Sequence, residues 1–555
     1  MRTPPISVNP VARTILATLV ALVLAAVLAA VAGAGTVFVI EGRGWGHGVG
    51  MSQYGAYGLA LQGATYEQIL ATYYTGTYLA PAPPKAVRVL LKPAEPEARV
   101  SSTALFTVSD GTGKQIDLPP GVATVSPDFV VSAGGAVVDL TPPLRFEGGA
   151  APIEFGRPYR GSLVLTPNLL QSGKLIRVVN QVSLEEYLYG VVPREMPSWW
   201  PLEALKAQAV AARSYALTAR RGQGYFDVYA DVRSQVYGGI LNETPQASAA
   251  VDATAGQVLM FNGQVASTFY FSTSGGRTAA NEDVWTGQPI PYLRSVEDPT
   301  DSESPYHRWQ PVFLSSRELG SRLGAPAPSA PRDATAVRNA SGRVELLVVG
   351  RGVKEAPFSP EEVRDRLGLC ESSWRCPADF NVGVLSLAAL KETALFGEDL
   401  QVTGLARGIE SPVLERRING SWEQVEAVEV DEDGRFSVTL HPSESMMLRL
   451  NAPVLRSSDR RLPAAFLRVA PRTTLKVHPR GRVFRGRVEP KSVGASVRLE
   501  RLGRKGWRAL DTTTVRESGA FIIKRAKRRP GQYRVVVSID VRFETGVSSP
   551  VTVPR

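Results

Sequence analysis

Cysteine is almost absent from this chain: its 555 residues include two, Cys370 and Cys376. With no histidine beside them they make a poor zinc site, and a local disulfide is the expectation for an exported protein. Histidine is sparse as well, at four residues. His307 stands too isolated in Tyr306-His307-Arg308-Trp309 to read as catalytic, and no local His–Asp arrangement supports a serine nucleophile. Membrane-length apolar runs are missing beyond the N-terminus. RNP, zinc-finger and other nucleic-acid motifs are missing too. The net charge of +11 and pI near 9.6 therefore point to another polyanion, such as an anionic cell wall or membrane surface, and not to nucleic acid.

The N-terminus carries the one long apolar run. Arg2 and Arg13 precede apolar residues from Ile15 to about Ala34, and Ala30-Val31-Ala32 and Ala32-Gly33-Ala34 resemble small-residue cleavage sites. The run exceeds a usual signal h-region and is nearly long enough to span a bilayer. Residues 1–35 are expected to be a cleaved signal peptide or an uncleaved anchor. Either places the rest outside the cytoplasm. With 44% hydrophobic and 21% charged residues, the chain reads as globular, with about two to four domains.

The strongest local signals lie between Ser183 and Arg221. Ser183 and Glu186 have capping-box spacing, which predicts a short helix ending at Gly190. Pro193 and Pro197 stiffen the connector Val191–Trp200. Pro201 suits the first turn of a long helix rich in Ala, Leu, Lys, Gln and Arg. Glu195 is then held on the connector, with Met196, Trp199 and Trp200 to wall it off from water. Such a carboxyl has its charged form disfavoured and its pKa raised, as a general acid for glycosidic cleavage requires. The competing reading is an ion pair of Glu195 with Arg194 or Arg213. Glu203 has helical spacing to Lys206.

Around this stretch the pattern is mixed. After a strand at Thr36–Ile40, glycine falls on every second residue from Gly42 to Gly50. In an extended chain that leaves one bare face, open to a backbone or a flat sugar ring, while Trp45 and His47 occupy the other. Two helical stretches follow, Ala56–Leu61 and Tyr66–Tyr74. Ala86 to Val182 alternates as β-strands. Tyr225–Tyr237 reads as extended, Gln246–Thr254 as a helix, and Val258–Phe271 as a hairpin turning at Asn262-Gly263. Ser272-Thr273-Ser274-Gly275-Gly276-Arg277-Thr278 is either a sugar- or anion-binding loop or a well-bonded turn. C-terminally, Leu414-Glu415-Arg416, Trp422 and Gly434-Arg435-Phe436 recur at one constant offset as Leu499-Glu500-Arg501, Trp507 and Gly519-Ala520-Phe521. That repeat predicts two small tandem sandwiches, 386–470 and a basic one at 471–555.

Leu184–Val192, Glu195-Met196-Pro197 and Glu203–Leu217, with Ser272–Gly276 and Gly46-His47-Gly48-Val49-Gly50-Met51-Ser52-Gln53, strongly resemble the stage II sporulation protein D family, which also includes the amidase enhancers of vegetative autolysins. The resemblance spans roughly residues 36–380. It implies action on peptidoglycan glycan strands, with Glu195 as catalytic acid of a lytic transglycosylase that forms 1,6-anhydro-muramoyl ends and prefers strands stripped of stem peptides. The other reading it implies is a non-catalytic peptidoglycan-binding enhancer of an N-acetylmuramoyl-L-alanine amidase. Two departures stand out. The Gly-His-Gly signature, which usually ends the domain in the sporulation proteins, here begins the expected mature chain, and is expected to fold back beside Glu195. The Cys/His zinc site that follows the long helix in some members is replaced by Asp231–Tyr237, so no metal is expected.

The expected fold class is α+β: a mixed core of β-strands with a long central helix at 36–385, β-rich at about 85–182, followed by the two sandwiches. His47, Gln53, Lys206, Arg213, Ser274, Gly275, Gly276 and Thr278 are expected to line a glycan groove, with no cofactor. Expected partners are glycan strands, a cell-wall amidase, and an anionic wall polymer or membrane surface met by the basic C-terminus.

Overall fold

The computed structural model describes residues 35–83, 85–170, 173–219, 224–324, 326–350, 355–372, 376–418, 420–452 and 462–555. The expected signal or anchor segment lies outside them. The protein is mixed and strand-rich, built of several small sheets. Among the described residues no helix is long and apolar enough to cross a membrane. Cys370 and Cys376 are joined by a disulfide.

The strand Val37–Trp45 lies between Val312–Ser315 and Pro377–Leu387 in an antiparallel sheet that continues through Leu400–Arg407 to Arg435–Leu440. Both faces of this sheet are buried, which explains the unbroken apolar run at its start. Phe38 and Ile40 enter one core with Leu347, Phe358 and Phe380. Val37 and Val39 enter the other with Leu385, Val402 and Phe436. The domain boundary expected at 385/386 therefore falls inside the strand Pro377–Leu387. Sequence alternation finds strands but not which distant strands they pair with, so this sheet was hidden.

Residues 86–183 form two sheets around one core. Their last strand, Gly173–Ser183, feeds directly into the helix Leu184–Glu195. The long helix Leu202–Thr218 follows and is buried on both sides. Ala204, Ala209, Ala212 and Ala216 meet the core of the two sheets. Ala207, Val210 and Ala211 meet the helices Gln53–Leu61 and Tyr66–Tyr73 through Ala56, Ile69 and Leu70. Alanine at these positions permits close approach on two faces at little entropic cost.

The C-terminal repeat is one of contacts as well as letters. Leu414 pairs with Leu450, and Leu499 with Val535, each next to a β-bulge. Arg449 bonds Glu415 and lies over Trp422; Arg534 bonds Glu500 and lies over Trp507. In 472–553 two sheets share a core of Phe484, Val497, Phe521 and Val535.

Candidate active site

Ser183 Oγ accepts the Glu186 N–H at 3.3 Å and starts the helix. The helix does not end at Gly190, as the cap pattern suggested. It runs through Pro193 to Glu195. Gly190 serves packing, because a Cβ there would lie 2.8 Å from the Tyr237 ring. Pro193 sits in the last turn, and the Met196 N–H still reaches the Val192 carbonyl at 3.0 Å. Glu195 is thus the last residue of a helix, not part of a loop.

Its carboxyl accepts the Val236 N–H at 2.6 Å. Among the described residues no cation lies within ion-pair range of it. Arg213 pairs with Glu185 instead, at 2.6 Å. Burial pushes the Glu195 carboxyl from 4.5 up to about 7, against the Val236 hydrogen bond and the more distant charge of Arg194. The negative end of the helix dipole acts in the same direction as burial. As a residue Glu195 remains only half-buried, so a reactant can approach it.

The shading differs from the expectation. Met196 and Trp200 are buried, but Trp199 is 75% exposed and shades nothing. Trp200 stacks on Tyr57, with ring centroids 4.6 Å apart, and meets Tyr54 edge-on at 4.8 Å. Two tyrosines, Tyr187 and Tyr270, lie close enough to feel the Glu195 charge instead. Tyr187 donates to Gln235 Oε1 at 3.0 Å, and Gln235 Nε2 donates to the Tyr270 hydroxyl at 2.9 Å. The Glu195 charge raises the pKa of both tyrosines, after burial. Tyr187 lay in the sequence reading only as a helix residue. The sequence places Gln235 and Val236 in an extended stretch without metal ligands and gives them no role at the site. A glutamine, an amide and a tyrosine brought from 40 or more residues away carry no local pattern. Among the described residues no His, Cys, Asp or Glu group of three or more could hold a metal.

The N-terminal signature does fold back to Glu195. Met51–Ser52 pairs in parallel with Tyr270–Phe271, and Gln53 Nε2 donates to the Glu195 carbonyl at 3.0 Å. Gln53 is buried, so it positions the acid's backbone and does not face a groove. The bare glycine face is not open to a sugar. Gly44, Gly46, Gly48 and Gly50 all have positive φ, between 67° and 106°, which glycine adopts at no steric cost. A Cβ on Gly50 would lie 2.1 Å from the Phe269 carbonyl oxygen. His47 packs between Phe271 and Trp285, with centroids 5.5 and 5.0 Å away. Its Nδ1 accepts the Val49 N–H at 3.1 Å. Burial, then the Arg343 charge, lowers its pKa to about 4, so the ring is neutral. A hydrogen bond to the Tyr270 backbone opposes that shift, so Tyr270 touches both His47 and the surroundings of Glu195.

The remaining groove residues scatter. Lys206 bonds Glu203 at 2.7 Å and lies over the Tyr66 ring. Arg213 is fully buried, with its donors on Glu185 and the Gln257 carbonyl. It holds the helices together and lines no groove. Thr278 is fully buried, accepting from the Val296 N–H at 2.9 Å. Ser274 is 3% exposed and donates to Asp301 Oδ2 at 2.9 Å, which also accepts the Gly275 N–H at 2.6 Å. Gly276 N–H donates to Ser274 Oγ. This stretch is a well-bonded turn, and Ser274, Gly275, Gly276 and Arg277 also line an open cleft. His307, thought isolated, meets Asp301 Oδ1 at 2.6 Å. The order is serine, aspartate, histidine; a nucleophilic serine needs the imidazole between the other two, so Ser274 is not activated.

Residues 172–261, which contain Glu195, Gln235 and Val236, match the family described as stage II sporulation protein. The chain is 31% identical over 225 residues to stage II sporulation protein D of Bacillus subtilis, covering 36% of this chain and 63% of that protein. It is 41% identical over 135 residues to the amidase enhancer of the same organism, covering 24% of this chain and 18% of that protein. Over 144 residues it is 38% identical to an uncharacterized protein of Brachyspira hyodysenteriae, covering 25% and 38%. The chain thus spans less than two thirds of each of these relatives.

Proposed function

The chain belongs to the stage II sporulation protein D family, and from that premise we propose that it is a lytic transglycosylase acting on peptidoglycan glycan strands outside the cytoplasm. Glu195 protonates the glycosidic oxygen between N-acetylmuramic acid and N-acetylglucosamine. As that bond breaks, the muramoyl 6-hydroxyl closes on C1, and the Glu195 carboxylate takes its proton. A 1,6-anhydro ring forms and no water is consumed. This route needs one carboxyl rather than the pair of ordinary glycoside hydrolysis. The observation that carries the reading is Glu195 itself: half-buried, with no cation in ion-pair range among the described residues, and pushed up to about 7. Its nearest rival, Glu203, is occupied by Lys206 and the Tyr66 N–H.

The test is purified protein on intact and peptide-stripped strands, with mass spectrometry for anhydro ends. Wild type is expected to produce them from stripped strands, and Glu195→Gln to be slower by roughly 10²-fold or more. A Glu195→Gln variant that cleaves as well as wild type removes Glu195 from the mechanism.

The similarity to an amidase enhancer favours a second reading, in which the chain binds glycan and stimulates a cell-wall amidase without cleaving. It predicts binding, no anhydro product and faster amidase turnover on mixing. Under either reading the basic C-terminal region holds the protein to an anionic wall polymer or membrane surface.

A further inference from the structure

Between the turn at Ser274–Arg277 and the hairpin turn at Asn339–Arg343 lies an open cleft of about 450 Å³. Four arginines line it, Arg43, Arg277, Arg338 and Arg343, against two carboxylates, Glu297 and Asp379. Arg277 pairs with Glu297, and Arg338 with Asp379 at 3.2 Å. Among the described residues Arg43 has only Glu41 as a carboxylate partner, 3.7 Å away and shared with Arg308. Among the described residues Arg343 has no carboxylate within ion-pair range. Its Nη1 donates to the His47 carbonyl at 2.9 Å, while its Nε and Nη2, and the Nε of Arg43, are shut from water with no acceptor. Burial lowers its pKa to about 10. Positive charge in this cleft is under-compensated, and buried guanidinium without a partner is costly. The heads of Arg43, Arg277 and Arg338 are each partly exposed. They can reach an incoming group, and guanidinium forks match the oxygens of carboxylate and phosphate.

We propose that this cleft is a binding site for an oxyanion, separate from Glu195 and independent of whether Glu195 cleaves anything. Two sources carry that chemistry on a cell wall: the lactyl carboxylate of a muramoyl residue without its peptide, and a phosphate of an anionic wall polymer.

The experiment is calorimetric titration of the full chain at low salt with N-acetylmuramic acid, inorganic phosphate and, as the uncharged control, N-acetylglucosamine. At least one oxyanion is expected to bind more tightly than the control, and the double variant Arg277→Gln/Arg338→Gln to weaken it about tenfold. N-acetylmuramic acid binding alone assigns the carboxylate source, and phosphate binding alone the phosphate source. The proposal is overturned if neither oxyanion binds better than N-acetylglucosamine, or if the double variant binds as tightly as the parent. Arg277 and Arg338 are partly exposed, so their loss is not expected to unfold the chain; an unchanged thermal midpoint checks this. Arg343→Gln, which removes the unpaired charge, is expected to weaken binding likewise.

Discussion

At Glu195 the folded protein keeps a proton that the unfolded chain gives up. The carboxyl rises from 4.5 to about 7, chiefly through burial. Between those values the folded state binds more protons, so stability falls as pH rises through the window and the loss is complete above about 7. At about 1.4 kcal/mol per pKa unit the full effect is about 3 kcal/mol. Glu195→Gln cannot ionise. Its urea-unfolding free energy is expected to match wild type near pH 4 and to exceed it by about 3 kcal/mol at pH 8. A difference that does not change with pH would mean that the carboxyl titrates normally. Arg213 has the opposite role. Its guanidinium is fully buried and paired with Glu185, and Arg213→Met leaves that carboxylate without its cation. The expected cost is about 3 kcal/mol of stability, and, if the chain binds glycan as proposed, the affinity of the folded fraction is expected to stay unchanged. Loss of affinity at unchanged stability would put Arg213 back in the groove.

The elements that hold these residues differ in how far the sequence announces them. Spacing is local, so the helix start at Ser183, the long alanine-rich helix and the link between Cys370 and Cys376 could all be read from neighbouring residues. The end of the Glu195 helix could not. Gly190 looks like a stop, and only the Tyr237 ring against it gives the glycine another purpose. The alternating glycines misled for a related reason. Period two implies an extended strand, whereas positive φ at Gly44, Gly46, Gly48 and Gly50 makes a tight path against 269–274. The return of this segment to Glu195 followed from family resemblance, and the contact that fixes it is Gln53 on the Glu195 carbonyl. Removing it leaves that carbonyl and the Gln208 side chain short of a partner. Gln53→Ala is expected to cost about 1–2 kcal/mol of stability. If the chain cleaves glycan, it should lower kcat more than it raises KM, because the change moves the acid and not a sugar contact. A rise in KM alone would argue for direct substrate contact by Gln53.

Across the whole molecule the sheet through Val37–Trp45 decides where the chain can be cut. Truncation after residue 385 removes Leu400–Arg407 and Arg435–Leu440, the strands beyond Pro377–Leu387. It also uncovers the face formed by Val37, Val39, Phe313 and Leu385, whose partners Val402, Phe436 and Val438 all lie beyond the cut. An uncovered apolar face beside an unpaired strand edge favours aggregation. Truncation after residue 470 spares that sheet, because 472–553 has its own core. What is lost there includes a partly buried Phe543 against the preceding core, the pairs Arg468–Glu544 and Arg542–Glu444, and the hydrogen bonds from Ser445 N–H to the Arg542 carbonyl and from Glu544 N–H to the Val469 carbonyl. Calorimetry is expected to give a sharp transition for the chain ending at 470 and a broad, lowered or aggregating one for the chain ending at 385. Equal transitions would mean that the sheet does not couple the two regions. The longer truncation also isolates the charge argument. Residues 471–555 carry more positive charge than the whole chain's net +11, so the rest is net acidic. If the chain binds an anionic wall polymer as proposed, the chain ending at 470 should lose the salt-sensitive part of that binding while keeping Glu195 and its surroundings intact.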